Sequence, residues 1–339
     1  MTRAGWIRAV AATAFGLCLV VVVLGAYVRL SAAGLGCPDW PGCYGHLTPA
    51  GAAADAAGIA HDYATPLDTG KAWREMVHRY AAGTLGALIV LIAALAWTWR
   101  RERIVAPTFA ATLLGIVVVQ AALGMLTVTW QLKPLIVTLH LLFGLTTLSL
   151  LWWLVLTLGR RRGGAWRSAP AFHGQPFVHV RRLALVGLAV LAAQIALGGW
   201  TSSNYAAIAC PDVPRCQGSW WPSMDYRSAF VLWRGLGVNY EGGVLDQPAR
   251  VAIHFTHRLG ALLAALALAW AAVAVLRHRS DAPARRAGGA VLALLVLQLA
   301  IGVTMVLGGF PLWLATAHNA GAALLLLAAV GLNRALHPA

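Results

Sequence analysis

Four of the 11 histidines in this 339-residue sequence occupy matching places in the two halves of the chain: His78, His140, His257 and His318. Each lies in a long apolar segment, where an ionisable side chain is costly and usually functional. A lone histidine there can simply bridge two helices, but four in a two-by-two pattern favour ligation. Two imidazoles from two helices of one bundle are a typical axial pair for a haem iron. The pattern therefore predicts two haem sites with these four ligands.

Zinc fits the same histidines less well, because they come from separate segments and no cluster of carboxylates or thiolates accompanies them at ligand spacing. Glycines follow the four histidines closely, and small residues there would let a flat macrocycle approach the backbone. Glycine is also common wherever membrane helices touch. The glycines concerned are Gly83, Gly86, Gly144, Gly260 and Gly321.

One position distinguishes the halves. Glu75, in "EMVHR", precedes His78 by three residues and so shares its helix face; the matching place in "HFTHR" holds His254. A carboxyl there could take or deliver protons, which makes Glu75 the candidate catalytic residue, although an acid near a helix start is also favoured by the helix dipole. Arg79 and Arg258 directly follow two of the histidines and could bind haem propionates or extend to lipid phosphates.

The elements that must position these residues are membrane spans. Hydrophobic residues make up 60% of the sequence and charged residues 11%, a composition typical of membrane proteins. Eight stretches are long enough to cross a bilayer as helices of about 20 residues. We therefore predict an all-α integral membrane protein with eight transmembrane helices, at about 8–30, 77–99, 107–130, 134–158, 182–202, 252–276, 288–308 and 312–333.

The formal net charge of +15 indicates topology rather than a nucleic-acid partner. Most Lys and Arg residues fall at the two termini or in the loops after spans two, four and six, whereas only Glu102 and Asp281 are acidic there. By the positive-inside rule these loops and both termini are cytoplasmic. We accordingly predict no nucleic-acid binding, and place the remaining long loops on the outer face.

Two short cysteine loops, "CPDWPGC" at 37–43 and "CPDVPRC" at 210–216, follow spans one and five. They fall on the predicted outer face, where an oxidising compartment preserves disulfides. We predict the bonds Cys37–Cys43 and Cys210–Cys216, and call each loop a hoop. A cap over the bundle and a redox role both stay open, although the spacing is not the Cys-x-x-Cys of thioredoxin-like sites. Cys18, inside span one, is expected to be a buried apolar residue.

The halves form an internal repeat. "QAALG" at 120–124 recurs as "QLAIG" at 298–302, and "HRYAAGTLGALI" at 78–89 recurs as "HRLGALLAALAL" at 257–268. Four spans per unit is an even number, so the copies enter the membrane in the same direction. We predict two parallel-repeat four-helix bundles, residues 1–158 and 182–339, joined by an Arg-rich cytoplasmic linker at 159–181.

Together, "GLGCPDWPGC" after span one, "EMVHR" opening span two and a histidine in each even span resemble the haem A synthase family. The resemblance implies oxidation of the C8 methyl of haem O to the formyl of haem A, by successive hydroxylations and loss of water, for cytochrome oxidase. It implies that the first half, with His78, His140 and Glu75, holds the substrate haem, and that His257 and His318 bind a haem b cofactor.

The same resemblance implies a place in the bacterial inner membrane. Its expected partners are haem O synthase, which is a farnesyltransferase, cytochrome oxidase assembly factors and an electron acceptor that the residues do not specify. Association of identical chains stays open.

Three other classes of protein compete with this interpretation. A bis-histidine di-haem b electron-transfer cytochrome would use the same four ligands but leaves Glu75 unexplained. A transporter could have a parallel repeat, yet no pair of spans is broken at the midplane. A membrane thiol oxidoreductase would account for the hoops but not for the histidines.

Overall fold

The computed structural model describes residues 2–160, 175–278 and 281–337, in which we find eight long helices and no β-strand. All eight are long and apolar enough to span a membrane, so the prediction of an all-helical, multi-pass membrane protein with eight spans is confirmed. The linker predicted at 159–181 lies, for its part 161–174, outside the described residues. The helices are α1 (Arg3–Leu30), α2 (Thr69–Thr98), α3 (Pro107–Thr129), α4 (Pro134–Arg160), α5 (Gln175–Ser203), α6 (Gln247–His278), α7 (Ala282–Leu307) and α8 (Leu312–Ala335).

Helix α2 begins earlier than the apolar run that predicts it. The side chain of Asp68 accepts a hydrogen bond from the backbone N–H of Lys71 at 2.9 Å and so caps the helix there. The polar stretch 69–76 is therefore helical, although it lacks the hydropathy of a span. As a result, Glu75 and His78 belong to one continuous helix.

The helices form two closed rings of four. Helices α1, α2, α3 and α4 pack in that order, with α4 returning to α1, and α5, α6, α7 and α8 do the same. The rings meet where α8 contacts α1 and α4, and where α4 contacts α5. Large apolar side chains on the outer surface, among them Val90, Leu266 and Trp270, are exposed, as expected of helices that contact lipid.

Both hoops lie at the same end of the molecule. The guanidinium of Arg29, near the end of α1, donates to the backbone carbonyl of Ser202, near the end of α5, at 2.9 Å. The two helices therefore end side by side, and each hoop follows directly. Short helices occupy the loops beyond the hoops, at Pro49–Ala54 and Ala56–Asp62 in the first and Tyr226–Ala229 in the second.

The second long loop reaches over the first ring. The backbone N–H of Tyr240 donates to the carbonyl of Gln131 at 3.0 Å. The ammonium of Lys133 donates to the carbonyl of Gly235 at 3.2 Å and lies 3.3 Å from the ring centroid of Trp233. Since Lys133 is only 1% exposed, this loop covers the turn between α3 and α4. At the other end, Trp152 donates to the carbonyl of Leu327 across the rings at 3.0 Å.

Candidate functional site

Each of the four histidines lies on an even-numbered helix and faces a glycine of the odd-numbered helix before it in the chain. A Cβ added at that glycine would lie closer to the imidazole Cε1 than an ordinary van der Waals contact, so a larger residue would displace the ring. The distances from such a Cβ to Cε1 are 2.9 Å for Gly25 and His78, 3.2 Å for Gly124 and His140, 3.2 Å for Gly198 and His257, and 3.1 Å for Gly302 and His318.

The rings divide the histidines two by two. His78 on α2 and His140 on α4 belong to the first ring, and His257 on α6 and His318 on α8 belong to the second. The Nδ1 atoms of His78 and His140 are buried without a hydrogen-bond partner. Two buried imidazoles with free bonding capacity in one water-poor bundle fit the ligation of a haem iron. The assignment of all four as ligands stays a prediction.

Three glutamines beside the histidines are not singled out by the sequence reasoning. Gln194 donates from Nε2 to the carbonyl of His257 at 3.0 Å, and Gln298 donates to that of His318 at 3.0 Å. Nε2 of Gln120 lies 3.5 Å from Nε2 of His140. The available signal is "QIALG" at 194–198, a third copy of the repeated motif that lies on α5.

Three of the five glycines that follow the histidines lie against these glutamines; the sequence does not predict that contact, and room for a macrocycle stays a prediction. A Cβ at Gly260 would lie 2.3 Å from Oε1 of Gln194, and one at Gly321 would lie 2.3 Å from Oε1 of Gln298. A Cβ at Gly144 would lie 3.1 Å from Nε2 of Gln120. The other two, Gly83 and Gly86, have nothing within 4 Å of such a Cβ.

Glu75 is 4% exposed and is held by two donors. Its Oε2 accepts the backbone N–H of Cys37 at 2.9 Å, and its Oε1 accepts a guanidinium N–H of Arg79 at 2.5 Å. The carboxyl therefore ties α2 to the first hoop. In the second ring the matching His254 is also 4% exposed, and its Nε2 accepts from Nε of Arg258 at 3.2 Å.

Both arginines hold a hoop against an even-numbered helix. Arg79 donates to the carbonyls of Asp39 at 2.9 Å and Gly42 at 2.5 Å. Arg258 donates to the carbonyls of Cys210 at 2.9 Å and Arg215 at 2.8 Å. The sequence suggests haem propionates or lipid phosphates as partners of these arginines, and neither alternative includes the hoop carbonyls. A contact with haem propionates stays a prediction.

The hoops have nearly the same geometry. Disulfides join Cys37 to Cys43 and Cys210 to Cys216, each with a Cα–Cα distance of 4.7 Å. Cys18 is free and buried, as expected.

In the second hoop, the carboxylate of Asp212 accepts the backbone N–H groups of Gln217 at 2.6 Å and Gly218 at 2.8 Å. The bond from Gly218, with that from Gln217, lowers the pKa of Asp212 below its ordinary value, against an opposing effect of burial. In the first hoop, the carboxylate of Asp39 accepts the backbone N–H groups of Tyr44 at 2.6 Å and Gly45 at 2.8 Å. The same pair of hydrogen bonds therefore stabilises both hoops.

Comparison with known proteins places this architecture in a family. Residues 8–330 match the family described as cytochrome oxidase assembly protein. The protein named Heme A synthase of Shewanella oneidensis is 42% identical over 318 residues, which cover 93% of this chain and 92% of that protein. The Heme A synthase of Methylobacterium nodulans is 30% identical over 91% of this chain and 86% of its own length. That of Halalkalibacterium halodurans is 27% identical over 90% and 88%. The chain therefore belongs to the haem A synthase family of cytochrome oxidase assembly proteins, which confirms the resemblance drawn from its motifs.

Proposed function

We propose that this protein is a haem A synthase, a membrane oxidoreductase that converts the C8 methyl group of haem O to a formyl group and so yields haem A for cytochrome oxidase. The observation that carries this function is the match along 93% of the chain to a protein named Heme A synthase. The substrate would come from haem O synthase, the farnesyltransferase, and the product would pass to cytochrome oxidase assembly factors.

The two rings take different haems in this proposal. His78 and His140, with Glu75, hold haem O, while His257 and His318 hold a resident haem b. Bound haem supplies a redox-active iron. The buried carboxyl of Glu75 supports the assignment, because the same place in the second ring holds His254. We propose that the two bundles, predicted from the sequence at 1–158 and 182–339, are a parallel repeat.

Glu75 is the proposed catalytic residue. Hydroxylation of a methyl group and loss of water from the product both move protons, and a carboxyl one helical turn from His78 can accept and return them. Cys37 and Arg79 fix its orientation through the two hydrogen bonds described above. The bond to Cys37 also sets the carboxyl directly beneath the hoop.

The direct test is conversion of haem O. The conversion removes four electrons from the methyl group, so purified protein that contains haem b is supplied with haem O and an external electron acceptor, and the extracted haems are identified by mass. If the protein is a haem A synthase, hydroxylated haem O and haem A should appear among the extracted haems. The alternative function, a bis-histidine di-haem b electron-transfer cytochrome, is favoured by the common glycine contact of all four histidines, and it predicts haem b in both rings and unchanged haem O.

We further propose that both termini are cytoplasmic and that both hoops lie on the outer face of the bacterial inner membrane. The clustering of Lys and Arg in the loops after α2, α4 and α6 supports this orientation. A reporter that is active only outside the cytoplasm should work when inserted within 44–73 or 217–250 and fail within 161–174. Reporter activity within 161–174 would show that the proposed orientation in the membrane is wrong.

A further inference from the structure

The contact between glycine and histidine occurs four times, once in each pair of consecutive long helices. We call each such pair of residues a cradle. One helical turn before the glycine of a cradle, four residues earlier in the chain, stands a side chain on the same face of the odd-numbered helix. These side chains are Val21 before Gly25, Gln120 before Gly124, Gln194 before Gly198 and Gln298 before Gly302.

Three cradles therefore have an amide next to the imidazole. Nε2 of Gln194 lies 3.1 Å from Nδ1 of His257, and Nε2 of Gln298 lies 3.3 Å from both ring nitrogens of His318. The Oε1 atoms of Gln120, Gln194 and Gln298 are all buried without a hydrogen-bond partner. Each of these cradles thus contains an unused acceptor.

The fourth cradle has no such group. The ring of His78 faces the backbone carbonyl of Val21, as the ring of His140 faces the backbone carbonyl of Gln120. The valine side chain, however, can neither donate nor accept a hydrogen bond. His78 therefore lacks the side-chain contact that its three counterparts have.

A hydrogen-bonding amide matters to a metal ligand. An imidazole that binds a metal through one nitrogen carries a proton on the other, and a partner for that N–H fixes the tautomer and the ring orientation. The two ends of a primary amide have nearly the same size. A half-turn of the glutamine amide therefore brings the free Oε1 to the ring nitrogen, in exchange for the contact of Nε2.

We propose that Gln120, Gln194 and Gln298 are positioning residues for His140, His257 and His318, and that Val21 leaves His78 as the one exchangeable ligand. The inference rests on the proposed function, in which all four histidines bind haem. A resident cofactor needs two fixed ligands, and the second ring has an amide at both. A substrate that must leave as product needs one ligand that yields, and the first ring has an amide at His140 alone.

The test measures how fast haem leaves the full-length protein. Excess apomyoglobin captures released haem, and its absorbance gives the rate for each ring, with haem b and haem O distinguished by mass. Gln298→Val should release haem b about tenfold faster, the usual effect of losing such a partner, and should broaden the low-spin electron paramagnetic resonance signal. Gln298→Glu, which keeps an acceptor oxygen, should restore the wild-type rate.

Val21→Gln should slow release of the first-ring haem about tenfold, while Val21→Leu, of similar bulk but without an amide, should leave it unchanged. If Gln298→Val releases haem b at the wild-type rate, the positioning role is wrong, whether or not Val21→Gln folds. A wild-type protein that purifies without any haem would instead refute the proposed function. Haem b in the wild type with unaltered rates in all variants refutes this inference alone.

Discussion

The two hoops are built alike, but the helices beneath them present different side chains to them. Asp39 and Asp212 each accept two backbone N–H groups at the same distances, and each hoop is held by one arginine. Below the first hoop that arginine binds a carboxylate, Glu75, whereas below the second it binds the imidazole of His254. In the proposed function, this buried side chain is one of the differences that distinguish the ring that holds the substrate from the ring that holds the resident haem.

The largest difference between the rings should follow from removing one histidine from each. We expect His257→Ala to lose haem b and its low-spin absorbance entirely, because one of two axial ligands is missing. His78→Ala should keep haem b and lose haem A production. Absorbance spectra of the two purified variants decide this, and a normal haem b spectrum in His257→Ala would contradict the assignment of the rings.

The next largest effect should come from Glu75. Glu75→Gln retains a side chain of the same shape but cannot carry protons, so we expect haem b to stay bound while haem O or a hydroxylated intermediate accumulates. A rate loss of about 10²- to 10⁴-fold is typical for a missing acid-base group. The matched variant His254→Ala should still yield haem A. Mass analysis of the extracted haems measures the products of both variants. A normal yield of haem A from Glu75→Gln would contradict the catalytic role of Glu75.

A smaller difference should separate the two arginines. Arg79→Met removes donors from the hoop carbonyls and leaves the buried carboxyl of Glu75 without its cation, and we expect a loss of about 3 kcal/mol in the free energy of unfolding. Arg258→Met removes similar donors but leaves the imidazole of His254, rather than a carboxylate, without its partner. The free energy of unfolding should therefore decrease by only about 2 kcal/mol.

Unfolding of both arginine variants in detergent measures the difference, with Arg79→Lys as the charge-preserving control. Equal losses would show that the Glu75 carboxyl does not depend on its arginine.

The smallest effect concerns pH and the second hoop. Because the folded-state pKa of Asp212 is lowered, its contribution to stability is present at neutral pH. It begins to decrease below the ordinary carboxyl pKa of about 4 and is lost as the pH falls through the lowered folded-state pKa. Reduction of Cys210–Cys216 by a phosphine should therefore accelerate as the pH falls through this range. In Asp212→Asn the reduction rate should be high already at neutral pH, and a wild-type rate in that variant would contradict the role of this carboxylate.

Most of the architecture can be predicted from the sequence, because the eight apolar runs and the spacing of the four histidines are local signals. Gln194 and Gly198 are missed because the repeat is sought between halves, with "QAALG" matched to "QLAIG", whereas the contact recurs between consecutive helices. The hoop contacts of Arg79 cannot be predicted in this way. They depend on the direction in which the carbonyls of Asp39 and Gly42 point, which only the folded loop determines.

The polar contacts between the rings bear on how the molecule can move. Bonds join the rings at both ends, and in a water-poor interior a broken bond leaves a donor or acceptor without a substitute. Alternating access, in which one bundle rocks against the other, would break several of them at once. We expect a planar, lipid-soluble substrate to pass sideways between neighbouring helices of one ring, within the plane of the bilayer. The bonds are those of Arg29 with Ser202, Tyr240 with Gln131, Lys133 with Gly235, and Trp152 with Leu327.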